Sequence, residues 1–484
     1  MTISLAVGAQ TSFDAAKLYE EELNGTARYV GMGGAMSALG SDPSVISHNP
    51  AGIGTYRKSD VNFSVSFFGT SMNTDPVATK SNPMSINGRT FYSKENRSDV
   101  NVGFDNISAI FSGSDTGDNY FNFGISYRKL QNLDRSLNYI DKFFVPDADD
   151  ATKQYVVYRE YLDNQRNKIN SFDFNLSCNL SDKVYFGWTL GILSTDTWSE
   201  GYFYDYYPNY GSATVEDKPY VVPAYAEDGH DYTAVDKMNQ AEGTGWNMAF
   251  GTIIRPVPAL RLGASIKTPT YYRQTLEYAD YLYAVMDTPK DGSRFTNSVD
   301  YQFSSPWSLN LSAGLTFGKT AIGAEYEKHF TQRSSLSIGN VKMVDQGAID
   351  YKDYSTIKVG LEQNISNLSL RLGYNIVESM FKDNAAPWLG DSDFNGWTYD
   401  GNGNVAEVGR TDFQIDRLGK TQYMTAGLGY CSAPDPDGTQ FYVDLAYLHG
   451  IRNSTVNVNE YFEDVDVNYN YKTDKVMLTI GWSF

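Results

Sequence analysis

Lys475-Val-Met-Leu-Thr-Ile-Gly-Trp-Ser-Phe484 is the stretch that decides the fold. Val476, Leu478, Ile480, Trp482 and Phe484 fall on one face of an extended chain. Lys475, Met477, Thr479, Gly481 and Ser483 fall on the other. Helical spacing fits no part of it. The same period of two recurs in Phe172, Phe174, Leu176, Cys178 and Leu180 against Asp173, Asn175, Ser177 and Asn179. It recurs again in Leu309, Leu311, Ala313, Leu315 and Phe317 against polar or small neighbours. Segments of this length with one apolar face read as strands of a membrane barrel, and the terminal Trp482-Ser483-Phe484 as its closing strand.

Composition agrees. Aromatic residues make up 14% of the chain, 37 of them tyrosine, a bias toward strand formers. Mean hydropathy is −0.42 and no apolar run approaches the roughly 20 residues of a transmembrane helix. A barrel escapes that test because its strands alternate between lipid and lumen. The net charge of −19 argues against a nucleic-acid partner held through phosphates.

Working outward from the last strand, period-two segments fall at 61–69, 104–113, 119–130, 170–180, 184–198, 243–255 and 260–277. Others fall at 307–317, 320–328, 352–364, 367–376, 421–431, 439–448 and 472–484. The expectation is an all-β protein, a transmembrane antiparallel barrel of about fourteen strands. Its connections alternate: short links such as Ser181-Asp-Lys183, Gly318-Lys319 and Ile365-Ser366 are separated by seven long loops. Outer-membrane barrels sort turns and loops in this way, and a soluble sandwich has no reason to. The parity puts both termini in the periplasm and the last strand beside the first, near Val61.

The chain divides as 1–9, 10–59 and 60–484. Val7-x-Ala9 closes a short apolar stretch as signal peptidase prefers, although the basic n-region is missing, so residues 1–9 read as a signal-peptide remnant. Residues 10–59 do not alternate. Asp14 to Leu23 reads as a short amphipathic helix. The stretch Ala27 to Gly54 is rich in small residues. In it Asp42-Pro43 is a cap and helix start, and Pro50 a stop. This is a compact plug, and residues 60–484 are the barrel.

Arg28, Gly31, Gly33 and Gly34, followed by Asp42-Pro43 and Asn49-Pro50-Ala51-Gly52, resemble the N-terminal hatch of the FadL/TodX family of outer-membrane transporters. Leu260 to Thr270 and Ser305-Pro306-Trp307 resemble mid-barrel segments of the same family. The resemblance implies a fourteen-stranded barrel with an N-terminal, partly helical hatch plugging the lumen. It also implies passive transport of hydrophobic molecules, long-chain fatty acids first, with sideways release through a kink in the third strand. Gly124 is that strand's only glycine between 119 and 130 and is the candidate kink, or it packs against a bulky neighbour.

In the register above, Phe68, Ile110, Tyr185, Leu193, Ile253, Tyr423, Leu448 and Met477 point inward, either as a lumenal hydrophobic pocket or as contacts of the plug. Arg128, Arg261, Lys267, Lys358 and Arg371 also point inward. They would hold a carboxylate headgroup, or else pair with inward Asp173, Glu325, Glu362 and Asp444. Asp391, Asp393 and Asn395 have half of a calcium-loop spacing, but Asn402 stands where the bidentate Glu belongs, and a surface turn is the plainer reading. No metal, cofactor or catalytic arrangement stands out, and Cys178 and Cys431 read as free thiols. The expected partners are outer-membrane lipids and a hydrophobic ligand such as a fatty acid, with the chain a monomer. An outer-membrane component of a protein secretion system, or a general porin, are the alternatives.

Overall fold

The structure is a computed structural model. It describes residues 18–19, 21–75, 81–86, 89–93, 96–97, 100–114, 119–146, 154–206, 232–286, 288–289, 293–338, 341–343, 351–382, 396–399, 405–408, 414–459 and 464–484. The expected leader, residues 1–9, and the loop residues Asp391, Asp393 and Asn395 lie outside these.

Fourteen antiparallel strands close into one barrel. They are β1 (Asp60–Thr74), β2 (Asn101–Ser114), β3 (Tyr120–Pro146), β4 (Gln154–Leu180), β5 (Val184–Tyr206) and β6 (Tyr232–Val257). The strands β7 (Leu260–Lys267 and Tyr271–Met286) and β8 (Ser293–Ser304 and Ser308–Phe317) are each interrupted once. Both interruptions contain a proline, Pro269 and Pro306, which cannot donate to a ladder. Then follow β9 (Thr320–His329), β10 (Tyr354–Ile365), β11 (Leu368–Val377), β12 (Gln414–Cys431), β13 (Gln440–Asn459) and β14 (Asp464–Ser483). Closure pairs β1 with β14, with Val61 opposite Trp482 and Val65 opposite Leu478.

The outward face is apolar. Phe172, Leu176, Leu180, Leu311, Leu315, Val476 and Trp482 are all exposed, whereas Asp173, Asn175 and Asn179 between them are buried. This inverts the pattern of a water-soluble protein and suits a wall set in hydrocarbon, where closing the sheet leaves no backbone edge unpaired. No helix among the described residues is long and apolar enough to cross a membrane, which says nothing of strands. Left-handed residues sit at the short turns: Ser181, Asp182, Gly318, Ser366 and Gly438.

The strands differ from expectation at the long-loop end. β3 and β4 each run for 27 residues and β6 for 26, so much of what reads as loop in the sequence is paired strand. Outside hydrocarbon neither face must be apolar, so the ladder continues after the alternating signal has faded.

Residues 21–56 lie inside the barrel, and Arg57 and Lys58 are exposed at its short-turn end, where they meet Asp182 and the Gly438 carbonyl. Thr26 caps the short helix α1 (Ala27–Gly31) by accepting from the Tyr29 amide. Asp42 caps a 3-10 turn, Pro43–Ser47, and Asn49 caps a second, Pro50–Thr55. The Asp-Pro and Asn-Pro pairs are thus one device used twice, where the sequence reading has Pro50 only as a stop. The helix expected over 14–23 is absent from its described part. Residues 21–24 instead run alongside β3, where the Glu22 amide donates to the Leu130 carbonyl at 3.0 Å. A backbone partner already in place outweighs the modest helix propensity of so short a segment.

Candidate functional site

The inner segment is held differently on its two sides. Toward β5–β11 the barrel presents glycines: Gly187 opposite Gly251, and a row of Gly314, Gly323, Gly360 and Gly373 paired across four strands. A Cβ at Gly323, Gly360 or Gly373 would come within 3.0 Å of the backbone of Ala35, Met32 or Gly33, and one at Gly187 within 3.0 Å of Pro50. Backbone therefore lies directly on backbone. Toward β1–β4 the facing residues are Asn62, Ser64, Asn106, Asn122, Asn175 and Ser177, a polar layer. Asn122 there donates to the Ile53 carbonyl at 2.8 Å, while Thr189 of β5 donates to that of Ile46 at 2.7 Å.

Charge ties the segment in place at the short-turn end. Arg28 meets Glu362 in a bidentate pair, at 2.9 and 3.0 Å, and Glu362 also accepts from Arg371, which reaches Asp444. Such a buried chain of alternating charge is costly to interrupt, because losing Arg371 from its middle strands Asp444 at its end. Asp42, accepting from Thr26 at 2.7 Å, has its carboxyl pushed up by burial in spite of Arg28 nearby.

Between the inner segment and the long-loop end lies a chamber with about 900 Å³ of space free of protein atoms, part of it open. One wall is apolar: Leu18, Tyr19, Leu130, Ile169, Tyr272 and Val377. Tyr272 stacks on Phe303 with ring centroids 4.6 Å apart, and Tyr19 lies 6.0 Å from the same ring. The other wall is polar and internally paired. Lys358 meets Glu327 at 3.4 Å and Glu325 at 3.5 Å, Lys267 meets Glu21, and His48 and His329 flank Glu327. Burial pushes the Glu21 carboxyl up, but Lys267 and His48 outweigh it and bring it down to about 2. A second recess, with about 430 Å³ of space free of protein atoms, part of it open, is lined by Tyr423, Leu448, Arg452 and Lys475 among others and lies across Glu22 and Leu23, which border both.

The inward residues read from sequence separate into distinct places. Ile110, Tyr423, Leu448 and Met477 pack with Val30, Met36 and Ile46 of the inner segment, and Tyr185 and Ile253 pack on Ala51. Leu193 joins the apolar cluster beside the chamber, with Tyr19, Tyr272 and Phe303, and Tyr423 also lines the chamber itself. Phe68 is buried beside Gly103. All five candidate headgroup cations already have partners. Arg128 meets Asp173 at 2.7 Å, Arg261 donates to the Leu39 carbonyl, and Lys267, Lys358 and Arg371 are paired as above.

Gly124 is paired on both sides, with Ile110 and Asn175, and a Cβ there would touch Ile110 and Ile46. The irregularity of the third strand lies further along. Leu130 is an extra residue between the Lys129–Asn170 and Gln131–Ile169 pairs, and the β2–β3 ladder stops at Asn106 opposite Arg128. On β2, Asp105 is likewise left out of the pairing with β1. The wall is thus interrupted between β2 and β3. Two features escaped the sequence reading. One is the glycine row, signalled by Gly314 and Gly323 standing equally spaced about their short turn. The other is this pair of bulges, for which the alternation gave no sign.

No family model matches the sequence, and no curated protein matches it. Solved structures do. A Pseudomonas aeruginosa FadL homologue superposes with a TM-score of 0.61 at 14% identity, over 96% of this chain and 99% of that one. The architecture is that of the FadL and TodX channels. The P. putida toluene transporter TodX follows with a TM-score of 0.52 at 14% identity, and the Ralstonia pickettii toluene transporter TbuX with 0.51 at 13%. Each of the two covers 96% of this chain and 99% of its own. At such identities the FadL/TodX likeness concerns the fold. The roles of individual residues rest on the contacts described above.

Proposed function

We propose that this protein is an outer-membrane channel for the passive uptake of hydrophobic molecules. Residues 10–59 are its hatch, and substrate leaves sideways through the wall. The observation that carries the reading is the break between β2 and β3, which lies beside the chamber's Leu130 and is covered from inside by hatch residues Glu22 and Asn24. A pore for polar solutes would need neither a stopper in contact with most of its wall nor an apolar chamber behind it. In this reading the short turns and both termini are periplasmic, residues 1–9 are a leader, and the monomer is surrounded by lipid.

Long-chain fatty acids are the substrates that the resemblance implies, and the chamber sets a condition on them. Both lysines lining it face carboxylates, so a fatty-acid headgroup must displace Glu21 from Lys267 or Glu327 from Lys358. A neutral hydrophobic molecule meets no such competition. Toluene, which two of the structural neighbours transport, is such a molecule. Solvent extraction of the purified barrel followed by mass spectrometry tests the reading. A co-purified fatty acid or hydrocarbon, lost when Tyr272 and Leu130 are changed to polar residues, is expected. A folded barrel that carries none and binds none when supplied contradicts it.

A further inference from the structure

The break in the wall is closed by one buried polar cluster. Lys475 of β14 reaches past β1 to the left-out Asp105 of β2, Nζ to Oδ1 at 2.9 Å, and donates to Asn24 Oδ1 at 3.0 Å. Asn24 in turn donates to the Lys129 carbonyl at 2.8 Å, at the edge of the β3 bulge. The Glu22 amide takes the Leu130 carbonyl, and the Glu22 carboxylate accepts from the Asn132 amide at 3.2 Å. Backbone groups that β3 does not give to β2 are thus satisfied by residues 22–24, and Lys475 holds those residues to β2. Asp105, Asn24 and Lys475 are all buried, and among the described residues the second carboxylate oxygen of Asp105 has no hydrogen-bond partner. An ion pair made through one carboxylate oxygen beside a wall opening is held by fewer bonds than Glu362, which accepts three from Arg28 and Arg371.

We propose that Lys475, through Asp105 and Asn24, is the latch of the β2–β3 break. Residues 21–24 are the part of the hatch that moves, while residues 27–55 stay seated on the glycine row. The inference rests on the reading of that break as the exit. Backbone against backbone, with no room for a Cβ, gives the seated part no direction in which to slide toward β5–β11. The segment 21–24 touches the wall through side chains and a few carbonyls, which can exchange for water or substrate.

Hydrogen–deuterium exchange on the full-length barrel in detergent decides it, using Asp105→Asn/Lys475→Met, which removes both charges together, and Asn24→Ala, which removes the bridge and no charge. Exchange at residues 22–24 is expected to speed up about tenfold in both, with the amides of Gly33 and Gly40 unchanged. Unchanged exchange at 22–24, or an equal rise throughout the hatch, overturns the latch. Should the double variant not fold, Asn24→Ala decides alone. If the latch behaves as expected but the wild-type protein passes neither labelled toluene nor labelled oleate, the transport reading fails and the latch stands.

Discussion

At the scale of residues, most inward charge in this barrel is structural. Arg371 touches Glu362 and Asp444 and is almost wholly buried, so Arg371→Met strands Asp444 and leaves Glu362 with Arg28 alone. A loss of about 3–5 kcal/mol is expected, read as a lower urea midpoint in detergent. Asn49 is fully buried, caps Ala51 at 3.2 Å and donates to the Thr252 carbonyl, and Asn49→Ala should cost about 0.5–2 kcal/mol by the same measurement. The Glu21–Lys267 contact has a definite pH signature. Because the folded-state carboxyl is lowered from 4.5 to about 2, its stabilisation is present above 4.5 and is lost as the pH falls through about 2. Glu21→Gln should therefore lower thermal stability at pH 7, by a margin that shrinks below pH 4.5 and vanishes near pH 2. The sequence made Arg371, Glu362, Asp444 and Lys267 legible as inward and charged, because a period of two fixes the face, whereas Glu21 and Asn49 lie in the segment that does not alternate. It left their partners open, because ion pairing in a lumen depends on which strand ends meet which part of the hatch.

At the scale of elements, the bulge in β3 is the feature on which the exit depends. Deleting Leu130 keeps Lys129 opposite Asn170 and Gln131 opposite Ile169, so it regularises the strand without turning later residues to the other face. It also removes the carbonyl that the Glu22 amide uses. A folded barrel with uptake reduced about tenfold or more is expected, measured as accumulation of labelled substrate beside a heat-modifiability gel. Bulges of this kind left no mark on the alternation around 119–130, and Gly124 drew attention only because glycine weakens strands. Its neighbours Ile110 and Ile46 account for it as a packing position. The pairing of Gly314 with Gly323 is marked by their equal spacing about the turn, but what the glycine row receives is visible only once the strands have a neighbour inside the barrel. Gly323→Leu should show its weight by displacing Ala35, at a cost of about 1–3 kcal/mol or more.

At the scale of the whole molecule, strand number, closure and the parity of turns and loops were legible because the membrane imposes them. Hydrocarbon demands an apolar outer face on every strand, and closure demands that β14 meet β1. The outward reach of β3 to β6 was not legible, because past the bilayer no solvent boundary enforces alternation. The central claim is that this plugged barrel passes hydrophobic molecules sideways through the β2–β3 break. It is tested most directly by uptake of radiolabelled toluene and oleate into cells that lack their own channel for such compounds, expressing either this protein or its Leu130-deleted form. Uptake of at least one compound well above the vector control, lost on deletion, is the predicted result. Folded wild-type protein in the outer membrane with uptake of both at the control level would contradict the account.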